Sequence, residues 1–195
     1  MKKLPRIISM TEYDKIISYC MKTKFKNYKQ YVLAFMLGFE AGMRISEIVG
    51  YQGKSKRRNK ITKEVIVTDV NIPALTIDKI DTEQHTIKVT SGKGGKDRIV
   101  PLPKRIDAKA LKLLPLTIQR RIIQRRITRI GKIVLNKDIS FHTLRHGFAT
   151  HLVNSGRPLH ELQMLMGHSR LDTTSIYLHS SPKDAVRGAR DAFEW

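Results

Sequence analysis

Most of the histidines in this chain lie near its carboxyl end, where imidazoles can serve as proton donors, proton acceptors or metal ligands. Six of the seven fall between His142 and His179. His142 and His146 are four residues apart, the spacing with which a helix presents two ligands to zinc. Thr143, however, stands where a metallohydrolase carries its glutamate base, and no acidic or cysteine third ligand is close in sequence. We therefore expect no metal site.

A second set of polar residues has the types needed to transfer a phosphate ester. Two guanidiniums can grip the nonbridging oxygens in bidentate fashion and neutralise the charge that builds in a five-coordinate transition state. A phenol, with a pKa near ~10, can attack phosphorus if another group takes its proton. Taken singly, each residue also has an ordinary interpretation as a solvated charge or a packed side chain. The set is Arg44, Lys93, His142, Arg145, His168 and Tyr177.

Four segments, in order along the chain, resemble the signatures of the tyrosine recombinase (phage integrase) family. They read AGMRISEI around Arg44, SGKGGKDRIVPLP around Lys93, FHTLRHGFATHLVNSG around His142 and Arg145, and LMGHSRLDTTSIYLH around His168 and Tyr177. The similarity covers most of residues 5–182 and is strongest toward Xer-type and archaeal integrases. The combination is highly specific, whereas each segment alone is not.

The resemblance implies a role for each residue of the set. Tyr177 would attack a DNA phosphodiester and form a 3′-phosphotyrosine, with Arg44 and Arg145 on the nonbridging oxygens and His168 donating a further hydrogen bond. His142 is the candidate base, and Lys93 would protonate the leaving 5′-oxygen. Glu47 resembles the family's supporting acidic residue. Because the covalent intermediate keeps the bond energy, the reaction needs no ATP, metal or other cofactor.

Composition narrows the class of partner and is compatible with this reading. The 195 residues include 37 Lys and Arg against 17 Asp and Glu, a net charge of +20, and the pI is near 10.3. Such an excess favours a polyanion. Cys20 is the single cysteine, so no internal disulfide is possible. The apolar run from Tyr31 to Phe39 is too short to span a bilayer, and the amino terminus lacks a signal-peptide pattern. We expect a cytoplasmic, DNA-associated protein without membrane contact.

Local patterns predict a series of helices. Thr11, with Asp14 in a capping-box position, predicts a first helix that carries Ile16, Ile17 and Cys20. A second helix is expected over 28–41, and a third is expected to start after Arg44. The apolar face of the second helix should be formed by Tyr31, Val32, Phe35, Met36 and Phe39.

Later in the chain, helices are expected after Pro115, from Ser140, from Pro158, from Asp172 and from Ser181. The helix after Pro115 is amphipathic, with isoleucines on one side and arginines on the other. Its apolar side comprises Ile118, Ile122, Ile123, Ile127 and Ile130. The tail helix carries an apolar stripe of Ala185, Val186, Ala189 and Phe193, which could pack on its own core or on a neighbouring subunit.

Between the two helical parts, the pattern favours strands from Val65 to Pro103. Thr86–Thr90 and Asp97–Pro101 alternate and flank a glycine-rich turn, which predicts a hairpin with Lys93 near its tip. The preceding segment from Tyr51 to Lys60 is basic and aperiodic, and we interpret it as an exposed loop.

Two basic segments are candidates for contacting DNA phosphates. Each also has an interpretation as a solvated surface, either of a loop or of the outer side of a core helix. The candidate residues are Lys54, Lys56, Arg57 and Arg58 in the first segment and Arg121, Arg125 and Arg129 in the second.

The fold expected over 1–195 is a mainly helical α+β tyrosine recombinase catalytic domain with a small three-stranded antiparallel sheet and a tail helix over 180–195. The amino-terminal core-binding domain typical of the family is expected to be absent. The function expected is site-specific recombination on double-stranded DNA by a dimer or tetramer assembled through the tail. Topoisomerase-like nicking and rejoining, or a DNA-binding regulator without catalysis, are the alternatives.

Overall fold

The computed structural model describes residues 7–59, 62, 64–90, 97–167 and 182–193. Helices and strands follow one another as two helical groups separated by strands. The elements are α1 Met10–Thr23, α2 Tyr28–Phe39, α3 Ile45–Val49, β1 Gly50–Arg58, β2 Val65–Ala74, a 3₁₀ turn Ile77–Lys79, β3 Ile80–Asp81, β4 Thr86–Val89, β5 Arg98–Pro101, α4 Ala108–Leu111, α5 Arg120–Leu135, α6 Phe141–Asn154, α7 Leu159–Met166 and α8 Pro182–Asp191. The expected mainly helical α+β architecture is confirmed.

Helix α2 lies at the centre of the helical core, between α1 and α6. It ends at Phe39, two residues before the expected end, and it is buried on nearly all sides rather than on one face. The Tyr13 ring of α1 stacks on Phe39 at 4.0 Å between centroids. On the other side, Gly147 of α6 lies so close to the Phe39 ring that a Cβ there would overlap it. Because Gly147 has no side chain, α6 can pack closely against α2.

The start of α1 differs from the expectation. Ser9, not Thr11, is the N-cap, and its hydroxyl accepts from the backbone N–H of Glu12 at 3.2 Å. The Glu12 carboxylate accepts in turn from the Ser9 backbone N–H at 3.0 Å, which completes a capping box. Thr11 lies in the first turn. The Asp14 carboxylate, which the expected capping box would have used, accepts instead from Arg105 at 3.1 Å.

The strands form two antiparallel sheets. The expected three-stranded sheet is confirmed, with order β3–β4–β5 and Ile87 opposite Val100. The turn between β4 and β5, which contains Lys93, lies outside the described residues.

The interpretation of residues 51–60 as a loop is wrong for most of that segment. Gly50–Arg58 is strand β1, paired along its length with β2 from Tyr51 opposite Ile72 to Arg58 opposite Val65. Alternation is missing because residues 52–55 are all exposed, so neither face selects apolar side chains. The Val- and Ile-rich partner strand supplies the β-forming sequence.

Helix α5 has the expected amphipathic character. Ile123, Ile127 and Ile130 are buried, whereas Ile122 is 37 % exposed and does not belong to the buried face. Ile122 lies about 100° around the helix from Ile123 and falls at the edge of the stripe. The predicted arginines Arg121, Arg125 and Arg129 are all exposed on the other side.

The carboxyl-terminal helices close the core. Ser140 caps α6 as expected, and α7 ends at Gly167 in the left-handed conformation. Of the stripe on α8, Val186, Ala189 and Phe193 are buried against the chain's own core. The Phe193 ring stacks on Phe148 at 5.9 Å between centroids. In this structure these three residues thus pack in cis, on the chain's own core.

Candidate active site

Two of the predicted phosphate-binding arginines converge on one backbone carbonyl. Arg44 is the N-cap residue of α3, and Arg145 lies one helical turn after the start of α6. Nη2 of Arg44 donates to the carbonyl oxygen of Met166 at 3.3 Å, and Nη2 of Arg145 donates to the same oxygen. Arg145 also donates to the carbonyl oxygen of Gly42. The structure therefore brings together two residues that are 101 positions apart in the printed sequence.

Glu47 lies beneath these arginines and is 3 % exposed. Its Oε1 accepts from Arg44 Nη1 at 2.8 Å, and its Oε2 accepts from the Arg44 backbone N–H at 2.7 Å. Burial by itself would raise the pKa of Glu47, but hydrogen bonds and positive charge from Arg98 and Arg44 lower it to about 2. The carboxylate is therefore ionised at ordinary pH and fixes the position of the Arg44 guanidinium.

Arg98 is a member of this cluster that sequence reasoning missed. It donates to both carboxylate oxygens of Glu47, at 2.9 and 2.7 Å, and its Nε donates to the carbonyl oxygen of Leu165 at 2.8 Å. The alternation of β5 could have indicated it, because Arg98 lies on the same face of the strand as Val100. Val100 is buried, whereas Ile99 between them is exposed. A charge at an inward strand position requires a buried partner of opposite sign.

The cluster carries more positive than negative charge. Among the residues that the structure describes, Arg44, Arg98 and Arg145 gather around the carboxylate of Glu47, which sets three positive charges against one negative charge. Burial, and then repulsion from Arg44 and Arg98, lower the pKa of Arg145. An anion bound next to these guanidiniums would relieve this repulsion. The arrangement is thus suited to a phosphate diester.

His142 lies on the same helix as Arg145 and opens onto a basic cleft of about 570 Å³. The cleft is bounded by α3, α5 and α6. Its lining residues are Ile45, Arg120, Arg121, Gln124, Arg125 and His142. Two of the three arginines predicted to contact DNA therefore line the cleft with His142, whereas Arg129 lies further along α5, outside it.

Three of the six predicted catalytic residues, Lys93, His168 and Tyr177, lie outside the described residues. Among the part of the chain that the structure describes, no three His, Cys, Asp or Glu residues gather as metal ligands. Within the same ranges, no helix has both the length and the apolar character needed to cross a membrane.

Comparison with known proteins connects this geometry to a family. The profile of the phage integrase family matches residues 116–184. A tyrosine recombinase of Pseudothermotoga lettingae is 30 % identical over 197 residues, which cover 91 % of this chain and 57 % of the relative. The chain spans less than two thirds of the length of this relative and of two other tyrosine recombinases that it matches.

Solved structures show the same fold. The XerA recombinase aligns with a TM-score of 0.58 and 24 % identity, covering 96 % of this chain and 64 % of XerA. The XerH site-specific recombinase, in a pre-cleavage complex with its difH substrate, aligns with a TM-score of 0.60 and 22 % identity, covering 99 % of this chain and 56 % of XerH.

Proposed function

The chain belongs to the tyrosine recombinase (phage integrase) family, and on that premise we propose that it cuts and rejoins DNA strands through a covalent bond to Tyr177. The observation that carries the proposal is the convergence of Arg44 and Arg145 on one point, with Glu47 and Arg98 holding the assembly in place. Three buried or half-buried guanidiniums around one carboxylate form a preorganised anion site.

In the proposed reaction the scissile phosphate binds at the two arginines. Each guanidinium has five N–H donors, so Arg44 and Arg145 can keep their contacts to the Met166 carbonyl and still donate to nonbridging oxygens. The Tyr177 oxygen attacks phosphorus as its proton passes to His142, and the bond to the 5′-oxygen breaks. Lys93 gives that oxygen a proton, which leaves a 3′-phosphotyrosine and a 5′-hydroxyl. Attack by a 5′-hydroxyl reverses the steps and reseals the strand.

His168 is assigned the remaining hydrogen bond to the phosphate. It follows Met166, the residue whose carbonyl both arginines share, by two positions in the sequence. No step in this scheme requires a metal ion, a nucleotide cofactor or an external energy source, because the phosphotyrosine conserves the energy of the broken ester.

Double-stranded DNA is the proposed substrate. The net charge of +20 provides a long-range attraction, and the arginine-lined cleft beside His142 places that attraction next to the reacting phosphate. XerH, which shares the fold, was solved with its DNA substrate. We place the activity in the cytoplasm, on DNA.

Strand exchange between two sites requires more than one copy of the protein, and we propose that copies assemble on DNA. Assembly through α8 would require its stripe to leave the core position described above, where Val186, Ala189 and Phe193 are buried. A DNA-dependent rise in the mass of the complex, measured by analytical ultracentrifugation, is the expected result.

The chemistry is tested with a nicked suicide duplex, which traps the covalent intermediate because the cleaved fragment diffuses away. Wild-type protein should form an adduct that survives denaturing electrophoresis, and Tyr177→Phe should form none. Tyr28→Phe, which removes a phenolic hydroxyl elsewhere, is the control and should behave as wild type. Adduct formation by Tyr177→Phe would exclude the proposed nucleophile, and absence of an adduct with every protein would favour a non-catalytic regulator.

A further inference from the structure

We propose that β1 and β2 form a separate DNA-binding arm, a two-stranded ribbon that lies along the duplex beyond the cut phosphate. The inference rests on the proposed function, since it assumes that the cleft beside His142 receives DNA. It adds a second surface that the cutting chemistry does not use and identifies its ligand as the duplex backbone.

The two ends of the ribbon lie side by side where it joins the rest of the domain. The backbone N–H of Leu75 donates to the carbonyl oxygen of Ile48 at 3.1 Å, and Val49 forms a bridge with Ala74. Gly50, which begins the ribbon, has φ of +77°, and a Cβ there would lie 3.0 Å from the Ala74 nitrogen. The chain on either side of the ribbon is therefore already joined by hydrogen bonds.

The ribbon contributes little to the core of the domain. Within its described part, Ile72 near the base is buried, whereas Val65, Ile66 and Val67 toward the tip are 58, 49 and 49 % exposed. Packing against the core therefore does not explain why the chain forms a ribbon of this length. Its exposed surface is available to a partner.

The pairing register gives the two sides of the ribbon different chemistry. Residues directly opposite one another share a face, so strand positions 54, 56 and 58 fall on one face, with Asp69, Val67 and Val65 opposite them. These three positions hold Lys54, Lys56 and Arg58. Three basic residues and one acidic residue, Asp69, thus share this face. The face therefore carries a net positive charge.

The base of the ribbon is attached to the basic cleft. The Arg120 guanidinium lies over the Tyr51 ring at 4.5 Å from its centroid, and Arg120 also lines the cleft with His142. Arg120 thus belongs both to the lining of the cleft and to the contact that holds the base of the ribbon.

The dimensions of the ribbon fit a duplex. At about 3.3 Å per residue, the nine residues of β1 extend about 30 Å, and this equals about nine base pairs at 3.4 Å each. A two-stranded ribbon can also enter the major groove, which is about 12 Å wide. Shape and charge therefore both match DNA.

The test compares two variants that lose the same charge from different surfaces. Lys54→Gln/Lys56→Gln/Arg58→Gln removes the basic face of the ribbon, and Lys22→Gln/Lys26→Gln/Lys29→Gln removes three exposed lysines from the α1–α2 region. Binding to a duplex is measured by fluorescence anisotropy over a range of salt concentrations. Each phosphate contact contributes about 0.9 to the slope of log Kd against log salt. The ribbon variant should lose about 2 to 3 from that slope and the control less than 1.

A deletion variant provides a second measurement. Replacing residues 53–70 with two glycines should leave thermal unfolding nearly unchanged, because Tyr51 and Ile72 stay paired at the base, and should shorten the hydroxyl-radical footprint by about six base pairs. Equal slopes for the two triple variants, or a footprint unchanged by the deletion, would overturn the proposal. So would a change in self-association without a change in slope, because the ribbon would then be a protein interface.

Failure of the arm and failure of the chemistry are distinguishable in these experiments. If the arm is correct, the ribbon variant should need a higher DNA concentration than wild type to form the Tyr177 adduct, and raising that concentration should recover the adduct. If the chemistry is wrong, wild-type protein forms no adduct on the suicide duplex, although the salt dependence can still be compared between variants.

Discussion

Glu47 is the residue on which the geometry of the arginine cluster depends. It is fully enclosed, it accepts from Arg44 and Arg98, and it offsets part of the repulsion among three guanidiniums. A buried carboxylate is stable in this form only while its partners remain charged and in place. In this structure the carboxylate of Glu47 holds Arg44 in position through its side chain and its backbone N–H.

The low pKa of Glu47 predicts a specific acid sensitivity. Because the folded-state pKa is about 2 against an ordinary value of 4.5, ionised Glu47 stabilises the fold fully above pH ~4.5, and this contribution is lost as pH falls through ~2. The shift corresponds to about 3 kcal/mol. Urea unfolding measured between pH 5 and pH 2 should therefore show a larger loss of stability for wild type than for Glu47→Gln.

Arg98→Met serves as the second variant in this series. It removes the hydrogen bonds and the charge that lower the pKa most, so the acid-dependent loss of stability should shrink toward that of Glu47→Gln. Identical pH dependence in all three proteins would show that Glu47 is not ionised against these arginines in solution.

At the scale of elements, α6 and α2 must approach closely for the site to assemble. Helix α6 carries both His142 and Arg145, and Gly147 in its middle contacts the Phe39 ring of α2. The separation between α6 and α2 thus determines how far His142 and Arg145 lie from α3. The position of the candidate site depends on a glycine that has no chemistry of its own.

Gly147→Ala should therefore destabilise the protein, although alanine is ordinarily the better helix former by about 1 kcal/mol. The added methyl group overlaps the Phe39 ring and comes 3.3 Å from the Ile8 carbonyl oxygen, and overpacking of this kind costs about 1–3 kcal/mol. Thermal unfolding should show a lower Tm for this variant. His146→Ala, at the exposed neighbouring position of the same helix, should change Tm little. A rise in Tm for Gly147→Ala would contradict the packing described here.

At the scale of the whole molecule, several arginines lie together at one cleft and at its border. Arg121 and Arg125 face the cleft that His142 opens onto, and the ribbon continues this surface through the contact of Tyr51 with Arg120. The positive charge of this surface favours a polyanion as the partner. Arg129, two turns along α5 from Arg121, lies outside the cleft.

This arrangement predicts unequal roles for three arginines that look equivalent in sequence. Arg121→Gln/Arg125→Gln should weaken duplex binding and reduce the slope of log Kd against log salt by about 2. Arg129→Gln, on the same exposed side of the same helix, should reduce it by less than half of that. Equal effects per arginine, measured by anisotropy titration, would indicate that α5 binds along its whole exposed side and not at the cleft.

Sequence was sufficient for features that depend on neighbouring residues. The capping of α6 by Ser140, the end of α7 at Gly167 and the pairing of β4 with β5 all follow from residues a few positions apart. The family was recognisable for the same reason, since each signature is a short contiguous segment. Where two local signals competed, as at Ser9 and Thr11, the sequence did not distinguish them, and it did not indicate that Asp14 pairs with Arg105, 91 positions away.

What the sequence by itself determined was the set of elements and residue types: a basic, mainly helical α+β chain with two arginines, Arg44 and Arg145, among its candidate site residues. Only the tertiary structure decided that Arg98 joins them through Glu47, that residues 50–58 are a strand, and that Phe193 packs on its own core. Each of these depends on partners far along the chain, 51 positions away in the case of Glu47 and Arg98. Burial and ion pairing depend on which residues the fold places next to each other. A local sequence pattern does not identify a partner that is distant in the sequence.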